Sequence, residues 1–275
     1  MTARQVHAAI AAGVDNPMLI ESWQREPQLL RQIGVEPGDL NLTTLRKFAG
    51  LSTKVRHNGI RQWLPLSFRL LSVASMEIEL FAAYGSHCAA IGHTFASTPF
   101  GRAADLVDFL GHWLDRTDDA RAALWDIVRH EVALAVLARS VPPDTPISVE
   151  PPTRHLSATS VPVICGRILL HEMRCDPREL SQLLRQREPR LDAITLSQTF
   201  VGYWSIGIVG ELSVLLLDEF SHTVLERVDG VRSSAQLCQQ ILGTEEATPT
   251  FLAALAQLAD VGLLRFTAPS LRAAQ

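Results

Sequence analysis

A proline-rich segment at residues 140–155 is the feature that most constrains the fold of this chain. It reads SVPPDTPISVEPPTRH and holds five prolines between Pro142 and Pro152. Proline fixes φ and removes a backbone donor, so the segment predicts an extended linker. A chain of 275 residues is long enough for a folded domain on each side of it. We therefore predict an N-terminal domain at residues 1–140, a linker at 141–155 and a C-terminal domain at 156–270.

The N-terminal domain is predicted to be all-α, because its apolar residues recur at helical spacing. Prolines and capping residues mark where some of these helices begin. The pattern predicts helices from Met18 to Gln32, from Pro65 toward Tyr84, from Ala103 to Leu114, and onward from a cap at Thr117.

Beyond the linker the pattern changes to short strands and short helices. Residues 161–169 predict a strand, and residues 200–206 and 211–217 predict a hairpin with Gly207 and Gly210 in its turn. The predicted helices begin at Pro177, near Phe220, at the Ser233–Gln236 capping box and at Thr248, and residues 263–266 predict a closing strand. The predicted fold class is α+β, an all-α domain followed by a winged helix-turn-helix.

Charge argues against DNA binding, which is the usual function of a winged helix. The third helix would enter the major groove, yet its sequence TPTFLAALAQLADV holds no lysine or arginine. Residues 205–264 carry eight acids against two cations, Arg227 and Arg232, whereas a duplex-binding surface needs cations that neutralise phosphates. A DNA-binding transcriptional regulator with a helical effector domain stays as the alternative function.

An acidic winged helix with an exposed strand edge suits another ligand, an extended peptide that adds a strand to the sheet. The segment LLLDEFSHTVLERVDG, the turn DGVRSS and the closing LADVGLL follow one another near the end of the chain. In this order they resemble the peptide-recognition domain of ribosomal peptide biosynthesis, the PqqD-like fold. The resemblance implies binding of a precursor's leader peptide at the edge strand and adjoining helix. The leader-binding residues implied are Val201, Tyr203, Leu215, Leu217, Leu252 and Leu255.

A charge imbalance of opposite sign lies in the N-terminal half. No acid occurs between Leu40 and Met76, and this stretch holds six basic residues, including the only lysines of the chain, Lys47 and Lys54. Three interpretations stay open at this point. The stretch is a solvated loop with the start of a helix, a nucleic-acid patch in which Trp63 stacks on bases, or an interface for an acidic or metal-bearing enzyme.

The segment KVRHNGIRQWLPLSFRLL, followed by EIELFAAY, resembles the helical half of MbnC-type proteins from methanobactin biosynthesis. The resemblance implies a non-catalytic subunit that pairs with an iron-dependent TIM-barrel oxidase. The pair binds the leader of a cysteine-bearing precursor peptide and oxidises core cysteines to oxazolone and thioamide groups of a copper chelator. It implies no cofactor in this chain, since the iron belongs to the oxidase. The docking residues implied are Lys54, Arg56, His57, Asn58, Arg61, Trp63 and Arg69.

We find no set of residues in the sequence that predicts catalysis or a metal site. GxSxG, P-loop and GxGxxG motifs are missing. His87 and His93 are six residues apart and would lie on different faces of a helix, so an autonomous metalloenzyme, the third function class, would need them on a loop. Four scattered cysteines without a CxxC pair, together with an N-terminus that does not resemble a signal peptide, predict a cytoplasmic protein.

Overall fold

The computed structural model describes residues 2–92, 96–139, 156–206, 211–243 and 248–267. The chain forms two compact units, each made of two separate segments of the sequence. The first comprises Met1–Glu131 and Pro177–Ile194, and the second comprises Val132–Asp176 and Thr195–Gln275. The predicted linker at 141–155 and the predicted turn at Gly207 and Gly210 lie outside the described residues. The described elements combine helices with small antiparallel sheets, as the α+β class requires.

The first unit is built from helices and one 3₁₀ turn at Leu191–Ala193, with no strand among its described residues. Prolines occupy the first position of α2, α6 and α8, where the missing N–H has no helical partner to lose. The helices of this unit are α1 (Ala3–Asp15), α2 (Pro17–Arg25), α3 (Gln28–Gln32), α4 (Leu42–Arg56), α5 (Asn58–Arg61), α6 (Pro65–Val73), α7 (Glu77–Ala90), α8 (Pro99–Trp113), most of α9 (Asp119–Arg139), and α10 (Pro177–Arg185).

Two helices that the sequence predicted as continuous are broken. The helix expected from Met18 to Gln32 is divided into α2 and α3, with Pro27 directly before α3, because an interior proline lacks the required N–H. The helix expected from Pro65 toward Tyr84 is divided into α6 and α7. Ser75 lies between them with φ of +58°, a left-handed conformation that an α-helix does not contain.

The beginning of α9 also differs from its prediction. The expected cap, Thr117, donates its own N–H and hydroxyl to the Asp115 carboxylate. Asp118 is the residue that accepts the N–H of Arg121, at 2.8 Å. An aspartate is as effective an N-cap as a threonine and adds a negative charge at the positive end of the helix.

The second unit contains a three-stranded antiparallel sheet in the order β2–β3–β4. The pairing runs from Arg167 opposite Ser205 to Met173 opposite Thr199, and from Phe200 opposite Leu217 onward along β3 and β4. A separate two-stranded sheet pairs β1 with β5. The elements of this unit are β1 (Val161–Ile164), β2 (Arg167–Met173), β3 (Thr199–Ile206), β4 (Glu211–Leu217), α11 (Glu219–Arg227), α12 (Ser234–Leu242), α13 (Thr248–Asp260) and β5 (Leu264–Thr267).

Both faces of the three-stranded sheet are packed. One face meets the core of α11, α12 and α13 through Ile168, Trp204 and Leu215. The other face meets the last turns of α9, where Ala133 and Leu137 pack with Met173, Val201 and Tyr203. Both faces of the sheet are therefore at least partly covered, and its unpaired strand edges are available to a ligand.

The predicted hairpin strands and the following helices are present, but the strand predicted at 161–169 is two strands. The chain changes direction at Gly166, whose φ of +77° favours glycine. A Cβ there would lie 2.3 Å from the carbonyl oxygen of Ser205. As a result β1 pairs with the closing strand β5, while β2 joins the hairpin.

The unit boundaries differ from the predicted domain boundaries. Residues from Val132 onward, in the second half of α9, belong to the second unit, because Ala133 and Leu137 complete the core of its sheet. Residues 177–194 belong to the first unit, where the carbonyl oxygens of Gln186 and Arg187 accept hydrogen bonds from Arg69. Proline content marked a segment between the halves and could not reveal this exchange of segments.

Candidate functional site

The basic stretch between Leu40 and Met76 is mostly helical, since it forms α4, α5 and α6. This corrects the interpretation of the stretch as a solvated loop with the start of a helix. Of the seven predicted docking residues, Lys54, Arg56 and Asn58 are well exposed at the end of α4 and the start of α5. Arg56 lies 3.4 Å from the Asp15 carboxylate, and both side chains are at least half exposed, so the pair constrains Arg56 little.

His57 is a core residue. Its ring stacks on Phe81 with centroids 3.9 Å apart and planes 8° from parallel. Burial, followed by the positive charges of Arg56, Arg102 and Arg61, lowers the pKa of His57 from 6.5 to about 4. His57 is therefore neutral at pH 7 and packs inside the unit, so it is not available for contact with a partner in this conformation.

Arg61 has a structural partner that the sequence did not suggest. Its guanidinium forms an ion pair with the buried carboxylate of Glu77, sixteen positions along the chain. It also lies over the ring of Phe68, 4.6 Å from the centroid. Burial lowers the pKa of Arg61. Glu77 is the first acid after the basic stretch, and its carboxylate neutralises the least exposed of the guanidinium groups in that stretch.

The two remaining docking candidates also make contacts within the first unit. Trp63 is half-buried and meets Phe100 edge to face, with centroids 5.1 Å apart. Arg69 donates to the carbonyl oxygens of Gln186 and Arg187, the latter at 2.8 Å. Arg69 thereby links α6 to the chain that follows α10, although its side chain is exposed.

The structure adds an apolar face of α4 that the sequence analysis missed. Phe48, Leu51 and Val55 have exposed fractions of 57%, 61% and 69%, although their spacing of three and four residues places them on one side of the helix. The opposite side carries Leu45, Ala49 and Thr53, which are buried. The spacing of Phe48, Leu51 and Val55 was visible in the sequence, but only the structure shows which side of α4 faces the core.

The predicted leader-binding residues divide between core and surface positions. Val201, Tyr203 and Leu255 have no exposed area, and Val201 and Tyr203 pack on the sheet face that meets α9. Leu215, Leu217 and Leu252 are half-buried on the opposite side, against the helical core. The structure therefore does not bring the six residues together on one surface. Val201, Tyr203 and Leu255 are core residues rather than contact residues.

The sheet has two edge strands, β2 and β4, among the described residues. Arg167 and Glu172 are exposed along β2, and charges on an edge strand discourage pairing with another chain. Among residues 212–217 of β4, whose burial the structure describes, the exposed position is Leu216, with an exposed fraction of 43%. An apolar edge position accommodates an added strand better than a charged one does, so β4 is the candidate edge for a peptide.

Glu131, a buried acid of the first unit, holds the beginning of α6. Glu131 accepts the N–H groups of Leu66 and Ser67 at 2.7 and 2.9 Å, and the Ser67 hydroxyl at 2.6 Å. These are N–H groups of the first turn of α6, which has no cap of its own. Burial raises the pKa of Glu131, and the three hydrogen bonds oppose that shift.

No group of three His, Cys, Asp or Glu residues in the described ranges is arranged to hold a metal ion. His87 is exposed and lies beside Phe109, with ring centroids 5.1 Å apart. His93, its partner in the metalloenzyme hypothesis, lies outside the described residues.

A scan against protein-family models and a search of curated proteins both found no match to this chain. Within the described helices, none combines the length and the apolar character that crossing a membrane requires.

Proposed function

We propose that this chain is a non-catalytic subunit that binds the leader of a ribosomally made precursor peptide and docks on an iron-dependent TIM-barrel oxidase. In the proposed complex the oxidase converts core cysteines of the precursor to oxazolone and thioamide groups, as in methanobactin biosynthesis. The chain contributes binding and positioning, and it works in the cytoplasm, where the precursor is made.

The order of elements in the second unit supports the proposal. The hairpin of β3 and β4 leads into α11, α12 and α13, and β5 closes the unit by pairing with β1. We propose that this unit is a winged helix of the PqqD-like type. The capping box of Ser233 and Gln236 opens α12, within the region whose sequence carries the resemblance to that fold.

The observation that carries the proposal is the edge of β4. The sheet is packed on both faces, β4 has no neighbour on its outer side among the described residues, and Leu216 is exposed on it. A peptide that added a strand there would gain main-chain hydrogen bonds from β4. Half-buried Leu217, at the end of β4, and half-buried Leu252, on α13, would supply apolar contacts for the side chains of the peptide.

The alternative, a DNA-binding regulator, is not favoured by the structure of the second unit. Its α13, the helix that would enter the major groove, spans Thr248–Asp260 and carries no cation. Lys54 and Arg56 are exposed in the first unit, where the proposal places docking to the oxidase.

Co-expression with the neighbouring open reading frames tests the proposal. Affinity purification of this chain should recover an iron-bearing protein of TIM-barrel size in fixed stoichiometry. The purified chain should also bind the precursor peptide encoded beside it, measured by fluorescence anisotropy. Purification of the chain alone, without metal and bound to nucleic acid, would instead support the regulator. In that case binding to duplex DNA should weaken steeply as salt is raised.

A further inference from the structure

The outer face of α4 has the form of a helix-docking surface. Phe48, Leu51 and Val55 follow the i, i+3, i+7 pattern of anchors in helix-to-helix recognition. Each exposes more than half of its area, and the described residues place nothing over them. Scattered exposed apolar residues are ordinary in soluble proteins, whereas three large ones adjacent on one helix face indicate an interaction site.

Two lysines border this apolar face on the same side. Lys47 and Lys54 are seven residues apart, and each is a helical neighbour of Leu51, at four and three residues' distance. Both are exposed, and neither has an ion pair with a described residue. The acids that pair with α4 in the described residues, Glu21 and Asp15, contact Arg46 and Arg56. The border of the apolar face therefore carries uncompensated positive charge.

The charge selects the kind of partner. If two copies of this chain paired through α4, the lysines would meet no carboxylate, because α4 holds none. In an antiparallel pair they would also face one another, which like-charge repulsion disfavours. Carboxylates beside an apolar stripe would complement both features of the face. We propose that this face of α4 binds an amphipathic helix of a partner protein whose apolar stripe is bordered by carboxylates. The inference does not depend on the oxidase, because the face itself defines the partner's chemistry.

Two stapled helical peptides of about 15 residues test the inference, since the staple maintains a helix that would otherwise be marginal in water. They share one leucine stripe and differ only in bordering it with Glu or with Lys. Binding to the full chain is measured by fluorescence anisotropy. The Glu-bordered peptide should bind at least about tenfold more tightly than the Lys-bordered one. The double variant Lys47→Glu/Lys54→Glu should reverse that preference, a result that loss of folding cannot produce.

Truncation of the apolar anchor gives a second test. Phe48→Ser should weaken binding of the Glu-bordered peptide at least about tenfold. Val261→Ser is the matched control, because Val261 is exposed to the same 57% but lies in the second unit. Equal binding of both peptides, no binding of either, or no effect of Phe48→Ser would overturn the inference. A dimer in sedimentation velocity that Phe48→Ser converts to a monomer would also overturn it and assign the face to a second copy.

Discussion

His57 lies flat on Phe81, with ring centroids 3.9 Å apart and planes 8° from parallel. The stack is buried in the first unit, and the guanidinium groups of Arg56, Arg61 and Arg102 add to the effect of burial on its pKa. A neutral imidazole therefore sits at the centre of the stretch that looks most basic in the sequence. The formal charge of this stretch overstates what its surface presents to a partner.

Acid should destabilise the fold through His57. In the unfolded chain His57 takes up a proton near its ordinary pKa of 6.5, whereas in the folded protein its pKa is about 4. The contribution of neutral His57 to the free energy of unfolding is therefore complete above pH 6.5 and is lost as the pH falls from 6.5 to about 4. We expect a loss on the order of 2 kcal/mol between pH 7 and pH 5, measured by urea denaturation. His57→Phe, which retains a stacked ring, should remove this part of the pH dependence, whereas His7→Gln at an exposed histidine should not.

Substitution of Arg61 should lower the stability of the fold far more than substitution of Arg56. Arg61→Ala leaves the carboxylate of Glu77 buried without its cation and should lower the free energy of unfolding by about 3 kcal/mol. Arg56→Ala removes an exposed pair with Asp15 and should change it by less than about 1 kcal/mol. Thermal denaturation compares the two variants. Equal losses in the two variants would mean that the Arg61–Glu77 pair stabilises the fold no more than the exposed Arg56–Asp15 pair does.

Charge reversal at Arg56 then tests docking without loss of the fold. Arg56→Glu should weaken co-purification of the proposed oxidase and leave leader-peptide binding unchanged, because the affected residue and the β4 edge belong to different units. Loss of both oxidase co-purification and leader-peptide binding in a folded variant would contradict the assignment of these functions to different units.

Glu131 should be essential for the first turn of α6. Glu131→Ala leaves the N–H groups of Leu66 and Ser67 without their acceptor, and we expect a loss of about 2–4 kcal/mol in unfolding free energy. Glu79→Ala, which removes an exposed acceptor of Arg121, should cost less than about 1 kcal/mol. Hydrogen exchange of the amides of α6 locates the effect: protection should fall there first in Glu131→Ala.

Leu216 should report on which strand edge accepts the leader. Leu216→Lys introduces a charge on the edge of β4, which disfavours strand addition, and should weaken binding of the precursor peptide about tenfold. Glu172→Ala on the edge of β2 should leave the affinity unchanged. Anisotropy titrations of both variants decide between the edges, and the opposite ranking would assign the peptide to β2.

The second unit was largely predictable because its signals are local. The Ser233–Gln236 capping box begins α12, as the sequence indicated. The break at Gly166 was not predictable, since it depends on a close approach to Ser205 on another strand. Alternating apolar residues fit one long strand equally well.

In the first unit the sequence indicated where charge accumulates but not which side chains remain free. Arg61 forms an ion pair with Glu77, and Arg69 donates a hydrogen bond to the chain after α10. Both contacts depend on packing between elements that are distant in sequence. The exposed state of Phe48 follows from the orientation of α4 in the same way. An apolar residue on an amphipathic pattern is ordinarily expected in the core, so only the structure could identify it as a surface residue.

The exchange of segments between the two units has a consequence for biosynthesis. The first unit lacks α10 until the ribosome has passed Ile194, by which point β1 and β2 of the second unit have already been made. Folding of the N-terminal half cannot be finished before the C-terminal half has begun, in contrast to domains that fold one after another during translation. A gene fragment that stops at the prolines would therefore encode an incomplete first unit, and one that starts after them would lack the turns of α9 that cover its sheet.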